Sequence, residues 1–338
     1  MSPAAAPGRR PPSRRPPAAP APGAAEGPDP DRPRGFPLGD SGRIHPPIGL
    51  GLWGLGRWES ADVARTRAVL DRGLERGMEW FDTAEVYGAG RSERLLGDAL
   101  ARRPEGAPRP FLSTKLSWEH LRPAQIRAAL LGSRARLGTP RIDLYFVHAP
   151  DPHVPIADTI GTLAALQEEG LFDHLGVSNF SLEELREAEA AAGPGRLRAV
   201  QIRYNLFEEE EVAPIVAHCR ARGIVVEAYT PTARGLLAGR FLSGRGPPPG
   251  DPRHGHGLFA PDRFPEARAR AIRLRELARA ADLPMLALAL HGIARHGVAP
   301  VFGAGRPEQV DEALAAWSCA PSEELLDRAE RIARGHAD

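Results

Sequence analysis

From about Ile48 onward the chain repeats one unit eight times, a short apolar run followed by a longer amphipathic stretch. The apolar runs are IGLGL (48–52), MEWFD (78–82), PFLST (110–114), IDLYFVH (142–148), DHLGVS (173–178), RAVQIRY (198–204), GIVVEAY (223–229) and VAPVFG (298–303). Between them lie SADVARTRAVLDRGLERG, RSERLLGDALARR and PAQIRAALLGSRARLG, with apolar residues at helical spacing and glycine near several ends. Strands that alternate with helices build a parallel sheet. Eight such units leave two solutions, a closed (β/α)8 barrel or a doubly wound open sheet.

One stretch argues for the open sheet. GLGLWG, Gly49 to Gly54, fits the G-x-G-x-x-G pattern of a dinucleotide-binding turn, with Asp82 at the end of the next run. In such a turn the helix opens on the third glycine, whereas here LGRWES intervenes before the helical pattern begins near Ser60. The strand count therefore favours an α/β fold with a single (β/α)8 TIM barrel over residues 43–338, a long loop after strand 7 and a C-terminal helix. That loop, within TPTARGLLAGRFLSGRGPPPGDPRHGHGLFAPDRFP (230–265), is too long to be idle in a compact domain.

Residues 1–42 are rich in Pro, Ala and Arg and nearly free of large apolar side chains, the composition of a disordered, solvated tail. A formal net charge of +1 gives no support for a nucleic-acid partner. No apolar run is long enough to cross a membrane. The two cysteines, Cys219 and Cys319, have no zinc or disulfide spacing, so no metal is expected and a reducing cytoplasmic setting is.

Within this arginine-rich chain Lys115 is the sole lysine among 44 basic residues. It ends the apolar run PFLSTK, where a structural lysine is unusual. Arginine cannot replace a lysine whose proton affinity is tuned by burial. In a barrel the C-terminal ends of the strands converge on one mouth. Those ends carry, in order, Asp82, Lys115, His148, Ser178 with Asn179, Gln201 and Tyr229, and Tyr87 follows Asp82 in the same loop. Singly each has a plainer reading: Asp82 as a helix cap in DTAE, His148 as a core histidine, Tyr87 as a surface residue. Together they suit carbonyl reduction. A buried lysine needs the counter-charge of Asp82. A cationic neighbour lowers a phenol from ~10 toward neutrality, so Tyr87 is expected to titrate low and to act as a proton donor. His148 is placed to orient a carbonyl oxygen.

FDTAEVYGAGRSERLLG, STK, IDLYFVH, LGVSNFS, QIRYNL, EAYTP with RGLLAGRF, and VFGAGRPEQVDEAL resemble, in order, the strand-end motifs of the aldo-keto reductases, over about residues 44–316. The resemblance implies a barrel that binds NADPH in extended form, with NADH not excluded. It places Asp82, Tyr87, Lys115 and His148 on the catalytic tetrad. It places Ser178, Asn179 and Gln201 on the nicotinamide carboxamide and the Tyr229 ring against the nicotinamide. Backbone N–H groups from Gly303 to Gly305 would cradle phosphate. At the adenosine end the chain departs from the family, with Gln309 where some members have Arg and Ala313 where Asn is frequent. Arg306 is then the candidate for the 2′-phosphate, and Glu308 and Glu312 for adenine.

The resulting expectation is NAD(P)H-dependent reduction of a small aldehyde or ketone to the alcohol by a monomer, with Trp53, Trp58 and Trp118 walling the substrate pocket. The alternative implied by the same resemblance is a cofactor-binding regulatory or redox-sensing subunit with little turnover. A dehydrogenase built on Gly49 to Gly54 would instead make Lys115 incidental.

Overall fold

The computed structural model describes residues 35–54, 60–251, 253–254 and 257–336. Two short strands, β1 (Phe36–Pro37) and β2 (Ile44–His45), pair antiparallel ahead of eight parallel strands that close into a barrel. These are β3 (Gly49–Gly51), β4 (Trp80–Asp82), β5 (Phe111–Leu116), β6 (Leu144–Val147), β7 (His174–Ser178), β8 (Leu197–Arg203), β9 (Val225–Tyr229) and β10 (Val298–Gly303). Each pairs with its neighbour in sequence, and β10 closes on β3 through Val301–Gly49 and Gly303–Gly51. All eight apolar runs become barrel strands.

The crossovers are α1 (Ser60–Glu75), α2 (Arg91–Ala101), α3 (Pro123–Leu137), α4 (Ile156–Glu168), α5 (Leu182–Ala192) and α6 (Ala213–Arg222). After β9 the long connection leads into α7 (Phe264–Ala280) and α8 (Met285–Ala294), and after β10 come α9 (Pro307–Trp317) and the C-terminal α10 (Glu323–Ala333). Local chemistry sets several boundaries. Proline opens α3, α6, α7 and α9, Ser181 and Glu184 form a capping box on α5, and left-handed Gly138 and Gly223 end α3 and α6. No single described helix is long and apolar enough to cross a membrane.

Alternation along each strand divides the core in two. On β5, Phe111 belongs to a cluster inside the barrel with Trp80, Leu144, Phe146, Ala199, Val225, Ala299 and Val301, while Leu112 and Leu116 pack outward under the helices. By the same alternation Ser113 and Lys115 face the interior. Two of the three glycines that imitate a dinucleotide motif, Gly49 and Gly51, lie in β3, and at Gly49 a Cβ would come within 2.2 Å of the Trp80 ring. Glycine there lets a tryptophan fill the barrel, which closes the open-sheet reading.

The expected boundary at residue 42 falls within this hairpin. Leu38 is fully buried and joins the interior cluster, with Phe36 packed against it, so ordered structure reaches back to the apolar residues of GFPLGD. The rest of the expected tail, residues 1–34, lies outside the described residues, as does Trp58.

Candidate active site

Register and pleat bring the polar strand ends to one mouth. Lys115 is fully buried, and its Nζ donates to Asp82 Oδ1 (2.7 Å), Asp82 Oδ2 (2.6 Å) and the Thr83 carbonyl (2.9 Å). All three ammonium hydrogens are thereby engaged. Asp82 Oδ1 accepts further bonds from Ser113 Oγ (2.8 Å) and Gln201 Nε2 (3.1 Å), and Ser113 Oγ in turn accepts from Trp80 Nε1 (2.9 Å). A buried ion pair persists only when its remaining lone pairs and protons are satisfied in this way. Burial alone would lower Lys115, but the charge of Asp82 overrides it and the ammonium is held above its ordinary value.

Tyr87, half-buried in the loop after β4, places its ring 5.4 Å from Lys115 Nζ and edge-on to His148 with centroids 5.6 Å apart. The expected low phenol is overturned here. Burial pushes Tyr87 up to about 12, and the Lys115 charge opposes that without overcoming it. The charge of Asp82 adds to the rise that burial causes, so Tyr87 meets an ion pair rather than a bare cation. His148 is driven the other way, down to about 3, by burial and then by Lys115, and its Nδ1 is buried with no partner among the described residues. The imidazole is therefore neutral.

The next strand ends supply an amide platform. Asn179 follows β7 with a left-handed φ of 61°, a conformation asparagine tolerates better than most residues. Its Nδ2 donates to the His148 carbonyl (2.9 Å) and Ser178 Oγ (3.1 Å), and its Oδ1 accepts from Tyr229 Oη (2.7 Å). Gln201, on β8, is buried beside them. Trp118 is 45 % exposed with its ring against His148 at 5.5 Å, and Trp53, 48 % exposed, follows β3 at the same end.

The adenosine-end candidates are arranged differently. Gly303 ends β10, and the Gly305 N–H donates to Gln309 Oε1 (2.7 Å), so one expected phosphate donor is occupied by a side chain. Arg306, largely exposed, pairs with Glu312 (3.1 Å) and Glu308 (3.6 Å).

Sequence reasoning missed a rim of arginines contributed by β8 and the long connection. Burial, then Arg203, lowers Arg234, whose Nε is buried and unpartnered among the described residues. Partial desolvation, then Arg253 and Arg306, lowers Arg240. Like charges depress one another only when they converge, so the arginines of ARGLLAGRF reach from Tyr229 toward α9. Their recurrence in a Gly-rich loop was the available signal. Also missed was Glu227, fully buried on β9, with Oε2 accepting from Gln201 Nε2 (2.6 Å) and Oε1 meeting His45 Nε2 (2.9 Å).

Residues 47–334 match the model of the aldo/keto reductase family. The aldo-keto reductase YhdN of Bacillus subtilis is 32% identical over 252 residues, covering 72% of this chain and 75% of the relative. A glycerol dehydrogenase from Gluconobacter oxydans superposes with a TM-score of 0.78 at 29% identity, over 87% of this chain and 93% of that one. An aldo/keto reductase from Klebsiella pneumoniae, solved with NADP and acetate, gives a TM-score of 0.66 at 27% identity over 85% and 91% of the two chains.

Proposed function

This chain belongs to the aldo/keto reductase family, and on that premise we propose that it reduces a small aldehyde or ketone to the alcohol with NADPH, Tyr87 acting as the general acid. The observation that carries the reading is the mouth itself: a protonated phenol, a charge-balanced lysine beneath it and a neutral imidazole beside it.

The residues present fit a nicotinamide dinucleotide. Asn179 and Gln201 supply amides beside Tyr229, and the arginine rim, with the Arg234 Nε unsatisfied, suits a chain of phosphates. Exposed Arg306 and nearby Arg240 favour the 2′-phosphate, though Arg306 must first leave its two glutamates. A bound nicotinamide supplies the hydride.

The chain's own part is the proton and the orientation. His148, neutral and held at the mouth, directs a carbonyl oxygen by hydrogen bonding without adding charge. Tyr87 Oη gives that oxygen its proton as negative charge develops. Lys115 stabilises the tyrosinate left behind, an effect that grows once water is excluded from the mouth. Asp82 keeps the ammonium in place and ionised. Trp118 and Trp53 offer apolar walls to a small substrate.

The test is absorbance at the nicotinamide band with NADPH or NADH and a panel of small aldehydes and ketones, with Tyr87→Phe alongside. Turnover that falls by about 10²–10⁴-fold in the variant while NADPH binding persists supports the reading. Tight NADPH binding with no turnover on any carbonyl transfers it to a redox-sensing subunit.

A further inference from the structure

The mechanism leaves one buried charged pair unused. His45 and Glu227 are both fully buried, 182 residues apart in sequence, and meet inside the barrel. His45 enters from the hairpin that precedes β3, its ring edge-on to Trp80 (4.3 Å) and Phe111 (5.0 Å). Glu227 stands on β9 in register with Gln201 of β8.

Hydrogen-bond directions in this cluster are fixed by chemistry. His45 Nδ1 lies 2.7 Å from the Pro46 carbonyl, which can only accept, so Nδ1 carries a proton. Nε2 and Glu227 Oε1 then share one further proton, held on either side of a 2.9 Å contact. In both states Glu227 Oε2 remains an acceptor. Gln201 Nε2 reaches that oxygen at 2.6 Å and Asp82 Oδ1 at 3.1 Å. Two acceptors therefore consume both N–H bonds of the Gln201 amide. Among the described residues no hydrogen bond reaches Gln201 Oε1.

From this we propose that Glu227, clamped by His45, is a positioning and specificity-determining residue: it fixes the Gln201 amide so that only its carbonyl oxygen is offered to a ligand. The proposal rests on reading the mouth as a nicotinamide site. A fixed acceptor selects a donor, so Gln201 recognises the amino group of the nicotinamide carboxamide and rejects a ring substituent without N–H. Glu227 also contributes charge, since it acts with Asp82 to raise Lys115. Burial raises Glu227 itself, with His45 pulling the other way.

The experiment compares Kd for NADP+ and for 3-acetylpyridine adenine dinucleotide phosphate, in which a methyl group replaces the carboxamide amino group. The wild-type chain is expected to bind the analogue about tenfold more weakly, the worth of one hydrogen bond whose acceptor is left unmet. Glu227→Gln keeps every bond: the new amide donates to His45 Nε2 and accepts from Gln201, so discrimination survives. A His45→Leu/Glu227→Met double variant removes the pair together, a replacement that buried ion pairs commonly tolerate. Gln201 then keeps only the longer 3.1 Å bond to Asp82 Oδ1 and loses the tighter of its two anchors, so the amide loosens and the ratio falls.

Undiminished discrimination in the double variant overturns the proposal, and so does its loss in Glu227→Gln. Should the double variant not fold, Glu227→Leu takes its place: it removes the acceptor that holds Gln201 Nε2, so the same fall in the ratio is expected and undiminished discrimination overturns the proposal. Equal binding of both dinucleotides by the wild-type chain refutes the Gln201 orientation while leaving the nicotinamide site intact. Failure of the wild-type chain to bind NADP+ refutes the site reading on which the proposal stands.

Discussion

Two ion pairs flank the proposed cofactor path, and they are built in opposite ways. Lys115 and Asp82 have side chains 0 % and 5 % exposed, and further donors complete the carboxylate. Arg306 and Glu312 are 57 % and 54 % exposed and hold one bond at 3.1 Å. The first is fixed by barrel strands before any ligand arrives. The second is screened by water and has to be broken for Arg306 to meet a phosphate. On the proposed reading the chemical end of the site is preorganised, whereas the end that would read the cofactor's tail has to be assembled on binding. Preorganisation matters most where charge develops during reaction, and less where a flexible contact only adds affinity.

The largest contrast is expected in stability. Lys115→Met strands Asp82 as a buried carboxylate without a cation and should cost about 3–5 kcal/mol in urea unfolding. Arg306→Ala should stay within about 0.5 kcal/mol of the parent. Equal losses would erase the distinction between the two ends.

A smaller effect separates the cofactors. Removing Arg306 should weaken NADPH by about tenfold, the worth of one charge-assisted phosphate contact, and leave NADH nearly unchanged. Fluorescence titration of both nucleotides measures it. A parallel loss for both would assign Arg306 to the shared diphosphate instead.

The smallest effect is an expected flatness. In the proposed mechanism Tyr87 acts while protonated, below about 12, and His148 orients while neutral, above about 3. Neither group changes state in between. Single-turnover reduction should therefore be level from about pH 5 to pH 9 apart from effects on the substrate. A break at neutral pH would mean that the bound cofactor or substrate resets one of these groups.

Much of this was legible in the chain. Eight apolar runs announced eight strands, and a lone lysine ending the third pointed to Asp82, Tyr87 and His148 because strand ends in a barrel share one mouth. What escaped has physical reasons. The Tyr87 shift depends on how much water the fold removes and on the charge of Asp82 beside Lys115, and neither is a property of sequence spacing. Glu227 looks like one polar residue in GIVVEAY, and nothing local indicates a histidine 182 residues away. His45 sits beside a segment whose composition reads as tail, so the hairpin that carries it went unseen. The arginine rim comes from a Gly- and Pro-rich connection with no periodicity to place its side chains.

On the proposed reading Lys115 serves the reaction through Tyr87. The measurement that decides it is a double-mutant cycle on the single-turnover rate of carbonyl reduction, using NADPH-loaded wild type, Tyr87→Phe, Lys115→Met and the double variant at a temperature where all are folded. Strong non-additivity is expected, the double variant being no slower than Tyr87→Phe, because a lysine that tunes a phenol has nothing to tune once the hydroxyl is gone. Losses that multiply would contradict it and give Lys115 an independent part in the reaction.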